Sequence, residues 1–317
     1  MVFIAEFCQN HNGDFEILKD MVYAAKESGV DYAKIQTIFV NNLSYRERFE
    51  EGIQIDGIVK SIKRPYKPEY ERLKGLELTI EQQHDFVQLC QKAGIKPLTT
   101  VFSRHTVNPI KKMGFEDIKI ASYDCASQPL LLDVKDEFKK IFVSTGASFD
   151  EEIEDAANSL EGSDFSFLHC VTMYPTPLHE FNLARMEYLR RYSKETGWSD
   201  HSLIERDGIL GTLAAIYYGA NIIERHFTIL PREKTKDGPV SIDVTHVKQL
   251  KEFSALSVED KKQYLLEKFD NFNITWGRVD RKLSETELLN RDYFRGRFAS
   301  RLPNGEFLFN WEEGDYR

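Results

Sequence analysis

Two histidines, His201 in Gly197-Trp-Ser-Asp-His201 and His226 in Ile222-Ile-Glu-Arg-His226, close two late strand-like runs of the chain. At the C-terminal ends of neighbouring parallel strands, two imidazoles can converge on one divalent metal. Two nitrogens leave most of a coordination sphere open, which suits an ion that holds water and substrate rather than one that staples a fold. A strand-end histidine satisfied by a structural hydrogen bond is the bland alternative; Asp200 and Glu224 beside the pair weigh against it. Lys34 and Lys119 each interrupt an alternating apolar run. A buried ammonium there needs an anion, either a carboxylate inside the barrel or the phosphate or carboxylate of a ligand. Ser122, Ser144 and the turn Ser144-Thr-Gly146 add hydroxyl and backbone N–H donors suited to phosphate oxygens. An anion pocket beside a catalytic metal is the chemistry that these residues point to.

Strand-like runs at 2–7, 32–37, 97–102, 117–121, 140–144, 166–170, 196–199 and 221–226 alternate with amphipathic stretches at 15–27, 80–92, 106–113, 129–136, 149–158, 183–192 and 204–219. Strict alternation implies parallel strands. An open doubly wound sheet usually carries a Gly-rich phosphate turn after its first strand, whereas this chain reads Cys8-Gln-Asn-His-Asn-Gly13. The expected fold is therefore α/β, a (β/α)8 TIM barrel over residues 1–258, followed by a short C-terminal extension at 259–317. Residues 40–78 are charged, aromatic and strand-poor, too long for an ordinary βα loop, and predict an excursion over the barrel mouth. The extension is rich in charge and aromatics and is expected to pack on the barrel or to reach a partner subunit.

Hydrophobic residues make up 41% of the 317-residue chain and charged residues 29%, a composition with ample core material. No run approaches the length of a membrane span, and the start shows no secretory signal, so a cytoplasmic protein without membrane contact is expected. A formal charge of −9 argues against nucleic-acid binding, which needs a basic surface. Cys8, Cys90, Cys125 and Cys170 lie in or beside apolar runs and read as buried free thiols.

In a barrel enzyme the strand ends and the loops after them build the site. They carry Gln9, Asn10, His11 and Asn12; Lys34, Gln36 and Thr37; Thr100, Ser103 and Arg104; Lys119, Ser122 and Asp124; then Ser144, Thr172, Tyr174, Ser199 and the two histidines. His169, inside an apolar run, reads as a core residue or a support for the site. His11 either orients substrate or belongs to an Asn-Gly turn. His84, His105, His179 and His246 are expected to face solvent.

Together the segments Ile4-Ala-Glu-Phe-Cys-Gln-Asn-His-Asn-Gly13, Ala33-Lys-Ile-Gln-Thr37, Leu76-Glu-Leu, Thr99-Thr-Val-Phe-Ser-Arg104, Ile118-Lys-Ile-Ala-Ser122, Val143-Ser-Thr-Gly146, Leu168-His-Cys-Val-Thr-Met-Tyr-Pro-Thr-Pro177, Ser199-Asp-His201 and Glu224-Arg-His-Phe-Thr228 closely resemble the sialic acid synthase family. That family condenses phosphoenolpyruvate with an aldose, N-acetylmannosamine or a related sugar, to a 2-keto-3-deoxy sugar acid. The resemblance implies His201 and His226 as ligands of Mn2+ or Mg2+, with Asp124 as a further catalytic, proton-handling group. It implies Lys34, Thr100, Lys119, Ser122, Ser144, Thr172 and Ser199 as the phosphoenolpyruvate site, and Asn12, Gln36 and Tyr174 on the sugar side. A homodimer is implied as well.

Two departures concern the sugar. The family's C-terminal antifreeze-like domain reaches across a dimer with an arginine, and the segment from Asn290 to Glu306 resembles only the entry to such a domain, a remnant or a beginning. Where relatives commonly read Gly-Pro-Asp, this chain reads Asp237-Gly-Pro-Val240. The acceptor is therefore open between N-acetylmannosamine, a diamino sugar and an aldose without an acetamido group. Another metal-dependent barrel lyase or aldolase, or a non-catalytic barrel that binds sugar phosphates, are the other readings.

Overall fold

In the computed structural model, which describes residues 1–314 and Tyr316, the eight strand-like runs form eight parallel strands. They are β1 (Val2–Cys8), β2 (Tyr32–Gln36), β3 (Lys96–Val101), β4 (Asp117–Ile120), β5 (Lys140–Ser144), β6 (Phe165–Cys170), β7 (Thr196–Asp200) and β8 (Ile222–His226). Each strand pairs with the next, and β8 pairs with β1, so the sheet closes as a (β/α)8 barrel. Helices lie between the strands, and their capping is written in the sequence. Asp14 accepts the N–H groups of Glu16 and Ile17 at the start of α1 (Phe15–Ser28), and Thr79 with Gln82 forms a capping box ahead of α2 (Ile80–Ala93). The stretch expected as one helix at 204–219 is two, Ile204–Asp207 and Leu210–Tyr217, because Gly208 turns the chain at φ 54°.

Successive side chains of a strand point to opposite faces, so each strand feeds two layers. Phe3, Ala5 and Phe7 of β1 face outward into the large core shared with the helices. Inside the barrel, Ile4, Tyr32, Leu98, Phe142, Leu168 and Ile222 form a separate apolar plug. Two residues further along the same strands stand Glu6, Lys34, Thr100, Ser144, Cys170 and Glu224, all buried. The plug thus floors a polar layer whose composition follows from strand register alone.

Two segments cover the mouth. The excursion after β2 contains helices Arg48–Glu51 and Tyr66–Lys74 and a hairpin of Ile53–Ile55 with Ile58–Ser61. That hairpin corrects the strand-poor reading. Its turn residues Asp56 and Gly57 both have positive φ, 49° and 79°, the Asp-Gly signature of a tight hairpin. The segment after residue 258 packs on this chain's own barrel: Leu265 and Phe272 join the main core, and helix Glu285–Phe294 lies at the strand ends. Arg46 donates to the Tyr293 and Arg295 carbonyls, Asn290 to the Thr172 carbonyl at 2.7 Å, and Arg104 to the Glu312 carbonyl at 2.7 Å.

If the plug carries the floor of the site, Phe142→Ala, which removes a ring packed edge-on to Tyr32 at 5.4 Å, should cost about 3–5 kcal/mol. Urea unfolding measures this; a loss below about 1 kcal/mol would show the plug to be loosely packed.

Candidate active site

Above the plug lies a cavity of about 290 Å³. Ten of the thirteen site residues implied by the resemblance line it: Lys34, Gln36, Thr100, Lys119, Ser122, Ser144, Tyr174, Ser199, His201 and His226. Three do not. Asn12 sits in a turn at φ 52° and donates to the Lys234 carbonyl at 3.1 Å, so it ties two loops together. Thr172 is fully buried behind the strand-end turns, where its methyl stands 2.6 Å from the place a Cβ at Gly146 would take. Asp124 faces a small neighbouring cavity with Tyr123, Phe294 and Arg297 and accepts hydrogen bonds from Asn310, at 2.8 Å, and Ser127.

The buried lysines are paired inside the protein. Lys34 forms an ion pair with Glu6 and lies 3.6 Å from Glu224; Lys119 lies 3.7 Å from Glu224 and donates to Ser144 at 2.5 Å. Lys34 also donates to Thr100 at 3.1 Å. The carboxylates of the fold therefore answer the lysines, and both lysines still reach the cavity. Glu224 Oε2 lacks a hydrogen-bond partner among the described residues, and the lysine cations hold its carboxyl below the usual range against the opposing effect of burial. Burial lowers Lys34 to about 8, with the Glu224 charge working the other way. The Gly146 N–H donates to Ser122 Oγ at 3.2 Å, which closes this side with uncharged donors.

Excess positive charge enters from residues that the sequence reading did not single out. Arg64 and Arg72 come from the excursion, Lys236 from the loop after β8 and Arg297 from the C-terminal segment. With the two lysines, six cationic side chains line the cavity against the three carboxylates Glu6, Glu224 and Asp237. Asn290 and Phe294 complete the cover, Phe294 stacked on Tyr123 at 4.9 Å. Arg72 accordingly pairs with Glu69 and donates to Gln9. An acidic protein thus concentrates cations at one place, as an anionic small molecule requires.

The two imidazoles stand at the β7 and β8 ends with ring centroids 5.3 Å apart, and Tyr174 packs on His201 at 4.1 Å. Burial, followed by the neighbouring His226, holds His201 far below the usual imidazole range; burial also lowers His226. Neutral imidazoles are the form that binds metal. His226 Nδ1 is buried and has no hydrogen-bond partner among the described residues, an orphan nitrogen that fits a cation. Asp200 does not face the cavity. It pairs with Arg225 outside the barrel and accepts from Ser202 N–H and Thr212, which fixes the backbone on both sides of His201. Cys8, expected as an ordinary buried thiol, also lines the cavity, near His226 and Asp237.

Other histidines divide cleanly. His169 is held in the core, its Nε2–H donating to the Phe181 carbonyl oxygen at 2.7 Å. His11 belongs to the turn: its Nδ1 accepts the Gly13 N–H at 3.0 Å, and burial lowers it to about 4. His84 and His179 are exposed, whereas His105 and His246 are half-buried, the latter 2.7 Å from Asp243.

The profile of the NeuB family matches residues 21–261. The N,N'-diacetyllegionaminic acid synthase of Campylobacter jejuni is 30% identical over 253 residues, covering 78% of this chain and 73% of that protein. The pseudaminic acid synthase of the same organism is 28% identical over 310 residues, covering 96% and 83%. Among solved structures, an N-acetylneuraminic acid synthetase from Leptospira borgpetersenii superposes with a TM-score of 0.67 at 26% identity, covering 91% of this chain and 90% of that one.

Asp124 yields a pH prediction. Burial raises its carboxyl from 3.8 to about 6, so the folded protein takes up a proton there and stability is lost as pH rises from about 4 to about 6. Asp124→Asn should recover about 3 kcal/mol at pH 7 and none at pH 3.5, read by denaturant midpoints at the two pH values. An equal effect at both would contradict a buried, neutral-preferring carboxyl.

Proposed function

The chain belongs to the NeuB family, and from that premise we propose that it is a sialic-acid-synthase-type enzyme that condenses phosphoenolpyruvate with an aldose and releases phosphate. The observation that carries this reading is the pairing, in one cavity, of a cation-rich anion pocket with two neutral imidazoles. Lys34 and Lys119 stand at the inner end, where they hold the phosphate and carboxylate of phosphoenolpyruvate with Ser122, Ser144, Ser199 and Thr100 as uncharged donors. Arg64, Arg72, Lys236 and Arg297 draw the anion in and offset its charge.

His201 and His226 would hold a divalent ion, Mn2+ or Mg2+ in the simplest form, that supplies Lewis acidity toward the sugar's aldehyde oxygen. Carbon 3 of phosphoenolpyruvate forms the new bond to the aldehyde carbon, and the aldehyde oxygen gains a proton. Water adds at carbon 2, and phosphate leaves with the carbon–oxygen bond broken. The lysines and serines hold both charged groups of phosphoenolpyruvate fixed while carbon 2 changes geometry. Gln36 and Tyr174, which line the cavity, would contact the sugar. The plug below and Phe294 above limit access of bulk water, which would compete for the reactive carbon 2.

The acceptor is an aldose of the N-acetylmannosamine or diamino-sugar type, a reading supported by the names of the relatives and by the polar, cationic mouth. A phosphate-release assay with phosphoenolpyruvate, divalent metal and a panel of aldoses, with mass spectrometry of the product, tests it. Turnover with at least one such aldose is expected; a cleavage of sugar acids without phosphoenolpyruvate would favour a lyase instead. His201→Ala should lower turnover by about 100-fold or more with an unchanged unfolding midpoint. Full activity in that variant would remove His201 from the chemistry.

A further inference from the structure

We propose that the metal of this cavity is held by a thiolate: Cys8, His226 and Asp237 form a ligand set for a borderline-soft divalent ion such as zinc, cobalt(II) or iron(II). The inference rests on reading the His201 and His226 end of the barrel as a metal site, and it changes which ion that site selects. Cys8 Sγ, a ring nitrogen of His226 and a carboxylate oxygen of Asp237 lie within 4.8 Å of one another. Donors around a four-coordinate zinc stand roughly 3–4 Å apart, so a small inward adjustment of side chains closes the set.

Three features of the chain build this arrangement. First, His226 is only 7% exposed, and its Nδ1 has no hydrogen-bond partner among the described residues. A buried polar atom left so is costly unless a ligand completes it. Second, the register of β1 with β2 slips between Glu6 and Cys8, and at that bulge Cys8 takes φ 48°. A bulge re-aims a side chain, and a non-glycine residue at such a φ is strained. Glycine would satisfy this backbone without that strain, yet the position carries a thiol whose sulfur enters the cavity. Third, the loop that carries Asp237 is tightly fixed. A Cβ at Gly238 would stand 2.0 Å from the Arg232 carbonyl oxygen, and Ser241 Oγ donates to the Asp237 carbonyl at 2.7 Å.

The ligand types decide the ion. Mn2+ and Mg2+ favour oxygen donors, whereas a thiolate with imidazole and one carboxylate favours zinc, cobalt(II) or iron(II). On binding, the Cys8 thiol proton passes to solvent as the sulfur–metal bond forms. His201, whose ring lies 5.3 Å from that of His226, would supply a fourth donor beside these three. A second thiol makes the assignment testable: Cys170 Sγ lies 3.8 Å from His201 Nδ1 and is the competing sulfur.

Metal-stripped protein titrated with Co2+ gives a readout independent of turnover. The wild type should develop a near-ultraviolet thiolate-to-cobalt charge-transfer band. Cys8→Gly, chosen because glycine accepts φ 48°, should lose the band and bind Co2+ at least about 10-fold more weakly, while Cys170→Ser keeps both. Asp237→Asn should keep the band with weakened binding. Co2+ bound by the wild type without the band, or a band that survives in Cys8→Gly, would overturn the assignment. Should Cys8→Gly fail to fold, alkylation of the wild type mapped by mass spectrometry replaces it. Saturating Co2+ should protect Cys8, and equal labelling with and without the ion would overturn the proposal. A charge-transfer band without phosphate release on any aldose would leave the ligand set standing and count against the proposed reaction; phosphate release without the band would do the reverse.

Discussion

Four charges in the throat of the barrel depend on one another. Glu6, Lys34, Glu224 and Lys119 are each nearly or fully buried, and each charge is tolerable there only because an opposite one stands beside it. Removing one partner from such a cluster leaves an uncompensated buried charge, which costs far more than the pair contributes to stability. The cluster exists because β1, β2, β4 and β8 each carry a charged residue at the position facing the barrel interior above the apolar plug. It needs every neighbouring strand in register: Glu6 pairs across the sheet with both Lys34 and His226. A one-residue slip of any strand would turn its charge into the helix layer. The same cluster that makes the barrel exacting to fold supplies prepositioned cations to a ligand.

Within that inner layer two lysines meet two glutamates, so it orients an anion more than it attracts one. Attraction comes from outside the strands, from Arg64, Arg72, Lys236 and Arg297. These arrive on the long excursion after β2, the loop after β8 and the C-terminal segment, which are the parts of the chain that a bare barrel does not require. Arg297 is buried and pairs with Glu69 of the excursion, so the two covers also hold each other. Assembly of the mouth thus couples the last part of the chain to the strand ends, and the site includes residues from nearly the whole sequence.

The eight strands were legible because alternation of apolar residues and strict spacing with amphipathic helices leave little choice of fold. The inner site was legible for a related reason: a lysine in an apolar strand and a histidine at its end stand out against their surroundings. Residues on loops lacked that contrast. Arg64, Arg72, Lys236 and Arg297 look like any surface cation in a chain with 42 of them, and only the folded path brings them together. Asp124 and Thr172 lie next to strand ends in sequence, yet the 3-10 turn Ser122–Asp124 and the bend after β6 carry them behind the cavity wall. Cys8 reads from sequence as a buried free thiol, and it is one; what the sequence does not show is the bulge at the end of β1, which places it in the cavity lining. Asp56-Gly57 between two Ile-rich runs was a readable hairpin signal that the charge of the segment obscured.

If the proposed reaction holds, the buried lysine–glutamate layer is the seat of the phosphate and carboxylate of phosphoenolpyruvate. A crystal structure of the protein with phosphoenolpyruvate bound tests it most directly. Both anionic groups should lie within hydrogen-bond distance of Lys34 or Lys119, with Ser122 or Ser144 completing the phosphate shell. Phosphoenolpyruvate held only by the outer arginines, with the inner layer undisturbed and out of reach, would contradict the claim.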